Sequence, residues 1–464
     1  MVWSGNRSGF FTKEPCDHGV RNNKMTEDIL EQLFDELFPI CRSITGEGIR
    51  RSLAIFQRHM PLEIETVPSG TTVFDWTVPP EWNIRTAKLT APDGRVVADL
   101  EQSTLSVLNY SEPINRRLSL AELKPHLHCV PAYPDAIPYV TSYYKRTWGF
   151  CLPGRQLHAL KDGEYHAYID SDFSNNGGVQ FAQCVLPGDS TNEILLTSYL
   201  CHPSLANNEL SGPLVLLGLF DCISKWPRRR FTYRFLLNPE TIGSLCYLHR
   251  YADHLREKMV SGIVLTCLGG PSERLTYKLS RKGDGLSDRT VRYLRAREKY
   301  AVDIRPFDPV EGSDERQYCS PGFNLPVGQL ARTLYGFFAG YHNSLDTKEF
   351  MGIPTLVQSI QEVEQILQAQ EMGSCYVNLK PYGEPHLGPR GLYPNENSVS
   401  TWAKSTDDLV DSRQFLNRML TVLNYADGDH DMMDIATRCG CKLNGLSDVV
   451  EKLEQSGLLA HKGR

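Results

Sequence analysis

The sequence predicts an α/β protein with a doubly wound, mostly parallel sheet, an inserted β-rich region and a C-terminal winged-helix-like unit. Three observations predict it. Strand and helix patterns alternate from residue 191 to residue 375, the rhythm of a parallel sheet covered on both faces. Residues 61–169 break that rhythm with short β-prone runs between Pro, Gly, Asp and Asn turns. The chain closes in helices, the last two flanking CGCKLNG, which is a helix-turn-helix spacing. At 464 residues the chain is also too long for one ordinary core.

Residues 1–25 lack the apolar centre of a signal peptide and read as a disordered extension ahead of Met25. Apolar residues recur at helical spacing at Ile29, Leu33 and Leu37, and again at Ile49, Leu53 and Phe56. They predict two helices broken by RSITGEG, with Thr26, Glu27 and Asp28 at the first start. Segments 26–60 and 170–375 together make the main domain. In the β-rich stretch, TTVFDWTVP, RTAKLTA, RVVADL, LSVLNYS, YHAYIDS and VQFAQCVL read as strands, with a short helix near LSLAELKPHLH.

Beyond residue 191, EILLTSYL is a buried strand and SGPLVLLGLFDCISKW a helix. RFTYRFLLN and GIVLTCL are the next strands, separated by the helix IGSLCYLHRYADHLREK. SDRTVRYLRAREKY is a helix, PVGQLAR a late strand, and GIPTLVQSIQEVEQILQAQE the closing helix. Residues 376–412 are rich in Pro and Gly and read as a linker. Residues 413–464 carry three helices and a small wing.

Composition excludes several classes. A net charge of −6 argues against a generally basic nucleic-acid binder. Apolar runs such as Pro213–Phe220 are far short of a membrane span. Thirteen scattered cysteines, without a secretory signal, fit reduced thiols and a cytoplasmic location. The sequence leaves homo-oligomerisation open.

A doubly wound sheet places its functional groups at the carboxyl ends of its strands. Three such places carry metal-ligand chemistry: His202 in YLCHPSLANNELSG, Glu240 in LLNPETIGS and His342 in AGYHNSLDT. Neutral imidazoles with an anionic oxygen suit zinc, with a position left for water.

CHPSLANNELSG, PETIGS, GSDERQY and YHNSLDT resemble the metal-site blocks of zinc aminopeptidases. VFDWTVPPEWNI, RSITGEG, TYKLSRKGD and GEPHLGPRGLYP resemble, more closely, a bacterial family with an aminopeptidase-like domain. That family combines a zinc-exopeptidase-type fold with an inserted β domain and a C-terminal winged helix, and some members are described as polysaccharide-biosynthesis proteins. The resemblance covers residues 26–464. It implies that His202 is the first histidine ligand, His342 the last, and Glu240 the general base or a ligand.

Three departures from the zinc-aminopeptidase pattern stand out. Asn208 takes the position of the bridging Asp, and Pro239 takes that of the second glutamate. Gly269 and Gly270 stand where a further Asp is expected. An amide oxygen is neutral and cannot offset two dications, so a single zinc held by His202, Asn208 and His342 is expected, with Glu240 as base. For the substrate, Asp314 and Glu315 are candidates to hold an ammonium, and Arg281 and Arg316 an anion. Tyr341 is a candidate to stack on it. The implied substrate is a small peptide or an aminoacyl-substituted small molecule.

Two other readings stay open: a metal-free binding protein on the peptidase fold, and a regulator acting through the winged helix. Against the latter, residues 414–464 carry six basic residues and seven acidic ones. Their recognition-helix segment holds Asp448, Glu451 and Glu454 against Lys452, the wrong sign for a phosphate-lined duplex.

Overall fold

The computed structural model describes residues 19–393 and 407–462. Parts of the expected N-terminal extension and of the linker lie outside the described residues. The chain begins with helices α1 (Gly19–Leu37) and α2 (Glu47–Gln57) and strand β1 (Glu63–Pro68). Next come β2 (Thr72–Val73), β3 (Trp76–Thr77), β4 (Glu81–Thr90), β5 (Val96–Asp99), β6 (Ile114–Ser119), α3 (Leu120–Leu123), β7 (Leu127–His128), β8 (Phe150–Cys151), α4 (Gly154–His158) and β9 (Glu164–Ser174).

The main domain resumes with β10 (Gly178–Leu186), β11 (Glu193–Tyr199), α5 (Ser211–Ser224), β12 (Thr232–Asn238), α6 (Ile242–Lys258) and β13 (Met259–Leu265). It continues through β14 (Leu275–Lys278), α7 (Leu286–Arg297), β15 (Val302–Arg305), α8 (Glu315–Tyr318), β16 (Val327–Ala331), α9 (Lys348–Met351) and α10 (Ile353–Met372). The C-terminal unit holds β17 (Cys375–Asn378), α11 (Asp407–Tyr425), β18 (Asp427–Asp431), α12 (Met432–Cys439), α13 (Ser447–Gln455) and β19 (Leu459–His461).

The large sheet has eight strands in the order β1-β10-β12-β11-β13-β16-β14-β15. Its centre, β12, β11, β13 and β16, is parallel, and the flanks add antiparallel pairs. Strand periodicity sends alternate side chains to opposite faces. Ile194, Leu196, Phe235, Leu237, Ile263 and Leu265 pack on one face with α5 and α10. Leu195, Leu236 and Val264 pack on the other with Leu245 and Leu248 of α6. Gly212 is required where α5 begins, because a Cβ there would lie 2.3 Å from Ser198 Oγ and 2.4 Å from Leu265 O.

The structure moves several expected features. Helix α1 starts at Gly19, inside the stretch expected to be a disordered extension. Strand β1, inside the stretch expected to be the inserted region, belongs to the large sheet, where it pairs with β10. Val179 and Phe181 of β10 enter one core while Ala182 and Cys184 enter the other, as in an interior strand. LSVLNYS forms no strand, because Ser103 accepts the Leu105 N–H and caps a single tight turn. Strand β17 pairs with β18 and β19, so the stretch expected to be a linker begins as sheet.

The inserted region folds around a four-stranded sheet, β5-β4-β9-β6, with its own core including Leu89, Leu118, Phe150 and Ile169. It is tied to the main domain by buried bonds: Thr45 Oγ1 to Tyr110 Oη at 2.7 Å and Trp82 N to Thr45 Oγ1 at 3.0 Å. In the C-terminal unit, Leu443, Leu446, Val450, Leu453 and Leu459 are buried. That unit docks on the main domain through Arg289–Asp431 at 3.0 Å and the Leu443 N–H to Glu298 Oε1 at 3.1 Å. No described helix is long and apolar enough to cross a membrane.

Candidate metal centre

The carboxyl ends of the four parallel strands share one edge of the sheet. Each of the loops leaving that edge holds a non-glycine residue in the left-handed region: Ser204 (φ 42°), Thr241 (φ 62°), Cys267 (φ 50°) and His342 (φ 56°). Such conformations cost of order 1–3 kcal/mol each and cluster where geometry serves a site.

His202, just past β11, is 4% exposed. Its Nδ1 lies 2.7 Å from Glu209 Oε2. Glu209 sits on a wide helical turn, residues 206–210, ahead of α5. Arg42 Nε donates to the His202 carbonyl at 2.9 Å and lies 3.6 Å from Glu209 Oε1, with both side chains fully buried. Burial lowers the proton affinity of His202, but Cys201 and Glu209 more than offset it, and its pKa stands well above the ordinary value. Burial pushes the Cys201 thiol up to about 11, so at neutral pH it stands beside His202 as a neutral thiol. Cys201, His202 and Glu209 hold donor atoms within 4.8 Å of one another. With Nδ1 taken up by Glu209, however, the nitrogen left to face the cleft is Nε2.

Glu240, just past β12, places Oε2 3.7 Å from His202 Nε2 and is 27% exposed. Ser313 Oγ donates to Glu240 Oε1 at 2.7 Å, and the Ser313 N–H is held by Glu315 Oε2 at 3.0 Å. Asp314 clamps the same turn, accepting from Thr241 N at 2.7 Å, Ser244 Oγ at 3.1 Å and Asn238 Nδ2 at 2.9 Å. Burial, then the neighbouring Glu240, pushes Asp314 up to about 7.

The His342 and His202 rings lie 5.4 Å apart. Burial, then His202, lowers the His342 pKa to about 3, which leaves its imidazole neutral. Tyr341 stacks on it at 4.0 Å. Tyr139, from the inserted region, faces both histidines, at 4.9 Å from His202 and 5.5 Å from His342. Its N–H donates to the His342 carbonyl at 2.8 Å.

The structure brings His202, Glu240, His342 and Tyr341 together. Asn208 is buried on the same turn as Glu209, and its N–H donates to Asp346 Oδ2 at 2.8 Å. Its side-chain amide has one atom, assigned as Nδ2, buried without a partner. Amide oxygen and nitrogen exchange places by a flip, so this end can present an oxygen to a cation. Asp346 is pushed up to about 7 by burial, against the N–H groups of Asn208, Asn207 and Ala206.

The expected substrate clamps are corrected. Asp314 and Glu315 are 1% and 0% exposed. Asp314 is spent on the Glu240 turn, and Glu315 on Lys278, 2.5 Å away. Neither has a free face for an ammonium. Arg316 is turned onto the carbonyls of Ser313 and Val310, and Arg281 is exposed beside Asn324. A Cβ at Gly269 would meet Met351 at 2.1 Å, and one at Gly270 would meet Thr333 at 2.4 Å, so packing fills the place of a further Asp.

Sequence reasoning missed Arg42, Glu209, Ser313, Asp346 and Tyr139. The first four lie inside the blocks RSITGEG (with the Arg42 it begins on), NNELSG, GSDERQY and YHNSLDT, and were legible there only as members of a block. Nothing in the pattern around Tyr139 marks it.

Comparison with known proteins agrees with this fold. Residues 31–373 match a family described as a domain of unknown function (DUF4910), and residues 374–461 match a winged helix-turn-helix family. Over 449 residues the chain is 39% identical to a protein of Clostridium acetobutylicum named as a candidate polysaccharide biosynthesis protein with an aminopeptidase-like domain. That alignment covers 96% of this chain and 99% of the relative. A solved structure of a candidate peptidase from C. acetobutylicum superposes with a TM-score of 0.81 at 38% identity, covering 95% of this chain and 97% of that one. A zinc aminopeptidase from Bacillus subtilis gives a TM-score of 0.52 at 13% identity, covering 75% and 93%. A peptidase M28 precursor from Shewanella amazonensis gives 0.51 at 12% identity, covering 75% and 97%. The last two bear on the fold alone.

Proposed function

Because the chain belongs to the family described as a domain of unknown function (DUF4910) and has an aminopeptidase-like fold, we propose that it is a metal-dependent amide hydrolase. The substrate is a small peptide or an aminoacyl-substituted small molecule, and the site takes one divalent ion. One observation carries the reading: Nε2 of His202, the Glu240 carboxylate and the neutral His342 gather from the ends of three parallel strands. These donors suit zinc. His202 and His342 would hold the ion, with the Asn208 amide oxygen as a weaker third ligand.

Bound zinc would polarise the scissile carbonyl and bring the pKa of a water to about 7. Glu240, steadied by Ser313, is the group that accepts the water's proton and returns it to the leaving amine. Glu209 keeps Nδ1 of His202 occupied while Arg42 holds the His202 carbonyl, so that only Nε2 is offered. Tyr139 and Tyr341 narrow the access of bulk water to the histidines.

Metal analysis of protein purified without chelators tests this. About one zinc per chain is expected. Less than about 0.2 per chain, with no uptake on adding zinc, sinks the metal reading. Glu240→Gln should keep the metal and lower amide turnover by roughly 100-fold or more. Full turnover in that variant removes Glu240 as the base.

A second reading, a metal-free binding protein, is favoured by His202, which Glu209 holds at Nδ1 and whose raised pKa supplies a positive charge at the centre without an ion. It predicts no zinc and unchanged ligand binding in chelator. The winged helix is taken as a packing module rather than a DNA reader, because α13 presents Asp448, Glu451 and Glu454. Salt-dependent DNA binding would overturn that.

A further inference from the structure

We propose that the inserted region carries a second binding site, a cleft that accepts an apolar, ring-bearing group with an anionic substituent. It serves the part of the ligand that extends away from the histidines. Its existence does not depend on hydrolysis. Its place as a subsite rests on the reading of the metal centre above.

The cleft holds about 230 Å³ and is lined by Pro79, Pro80, Tyr110, Tyr143 and Phe173, with Lys145 at its rim. Segment 136–146 joins it to the centre. At one end, Ile137 N donates to Ser344 Oγ and Ser344 N to Ile137 O, both at 2.9 Å, and Tyr139 N donates to His342 O. At the other, Asn109 N donates to Val140 O at 2.9 Å and Ser142 N to Asn109 O at 3.0 Å. The hydroxyls of Tyr139 and Tyr143 bond to each other. Tyr139 faces His202 and His342, while the Tyr143 ring packs edge-on against Tyr110 at 5.3 Å in the cleft wall. The histidines and the cleft therefore lie on opposite sides of the Tyr139–Tyr143 pair.

The lining chooses the occupant. Prolines and aromatic rings bury apolar area and stack on rings. Beside them Tyr144 is 56% exposed and Trp76 39%, edge-to-face at 5.5 Å. The pair extends the aromatic wall of the cleft outward. Of the lining residues, Lys145 and Arg146 are charged and none is acidic. Arg146 is engaged by Glu112 at 2.9 Å and lies over Phe173 at 3.7 Å. Lys145 has no ion-pair partner among the described residues and is the cation left for an anion.

The test uses the full chain and three probes: 3-phenylpropionate, 3-phenylpropan-1-ol and propionate, followed by ligand-observed NMR and tryptophan fluorescence. Phenylpropionate should saturate with a Kd of the order of millimolar. The alcohol should bind roughly fivefold more weakly, as for one half-exposed ion pair, and propionate should not saturate. Lys145→Ala should erase the preference for the acid over the alcohol, and Tyr144→Ala should weaken both ring probes. Both side chains are exposed, so neither variant threatens the fold. Glu240→Gln should leave phenylpropionate binding unchanged, which separates this site from the fate of the hydrolase reading. No saturation by about 50 mM, well above the expected millimolar range, overturns the proposal. So does equal affinity for acid and alcohol in the unmodified protein, or a neutral hexose saturating the cleft in preference to both ring probes.

Discussion

The Arg42–Glu209 pair lies directly behind His202 and offers the sharpest test of how the centre is held. The groups meet at 3.6 Å with no exposed side-chain surface. At that separation and an effective dielectric of about 20, their attraction is about 4–5 kcal/mol, much of it offset by the cost of taking two charges out of water. Glu209→Leu strands Arg42 in the interior and should destabilise the main domain by about 3–5 kcal/mol. Arg42→Met leaves Glu209 with His202 Nδ1 at 2.7 Å and should cost less, and the double variant, which strands neither Arg42 nor Glu209, should lose less than the sum of the two. Glu209→Leu also deprives His202 Nδ1 of its partner, and Arg42→Met frees the carbonyls of Leu37 and His202. Each of those losses occurs in one single variant and again in the double, so it cancels from the cycle. Urea unfolding of the four proteins, followed by circular dichroism through the main-domain transition, should give a coupling of about 2–3 kcal/mol. A coupling below about 0.5 kcal/mol would refute the claim that the two charges stabilise one another.

Three further outcomes are expected. Asn208→Asp adds a carboxylate beside Asp346 and Glu209 in a buried turn, so it should cost the metal-free protein roughly 1–3 kcal/mol yet raise zinc affinity; unchanged affinity by competition with a chelating dye would show that residue 208 does not face the ion. The Asp314 carboxyl, pushed up to about 7, binds a proton that its unfolded form releases near pH 3.9, so the stability it contributes is present below that pH and lost as pH rises through 7. Carbon-detected NMR should show this titration moving to lower pH in Glu240→Gln, and no movement would mean that Glu240 does not act on it. Ser313→Ala removes the 2.7 Å bond to Glu240 and should lower turnover about tenfold with thermal stability nearly intact; normal turnover would remove Ser313 as a positioning residue.

Much of the fold was legible because burial periodicity is local. The near-continuous buried runs of β11, β12 and β13 and the apolar faces of α5 and α10 are written in consecutive residues. LSVLNYS misled because its apolar residues are buried around a turn that one serine caps. VQFAQCVL was correctly a strand, but which sheet it joins depends on its partners β1 and β12. Asp314 and Glu315 looked like surface charges because GSDERQY is a polar run. Their partners, Thr241, Ser244, Asn238 and Lys278, lie far away in sequence.

The sequence by itself determined the alternation that builds the sheet and the strand ends that carry His202, Glu240 and His342. It also shows Asn208, Pro239 and Gly269 where the zinc-aminopeptidase resemblance leads one to expect carboxylates. Tertiary structure alone decided which groups hold the residues of this site. Arg42 reaches His202 across 160 positions, Asp346 reaches Asn208 across 138, and Ser313 reaches Glu240 across 73. The physical reason is that a strand or helix is specified by the spacing of neighbours along the chain. The charge and hydrogen-bond state of a buried side chain is specified instead by whichever groups folding brings within about 3–4 Å.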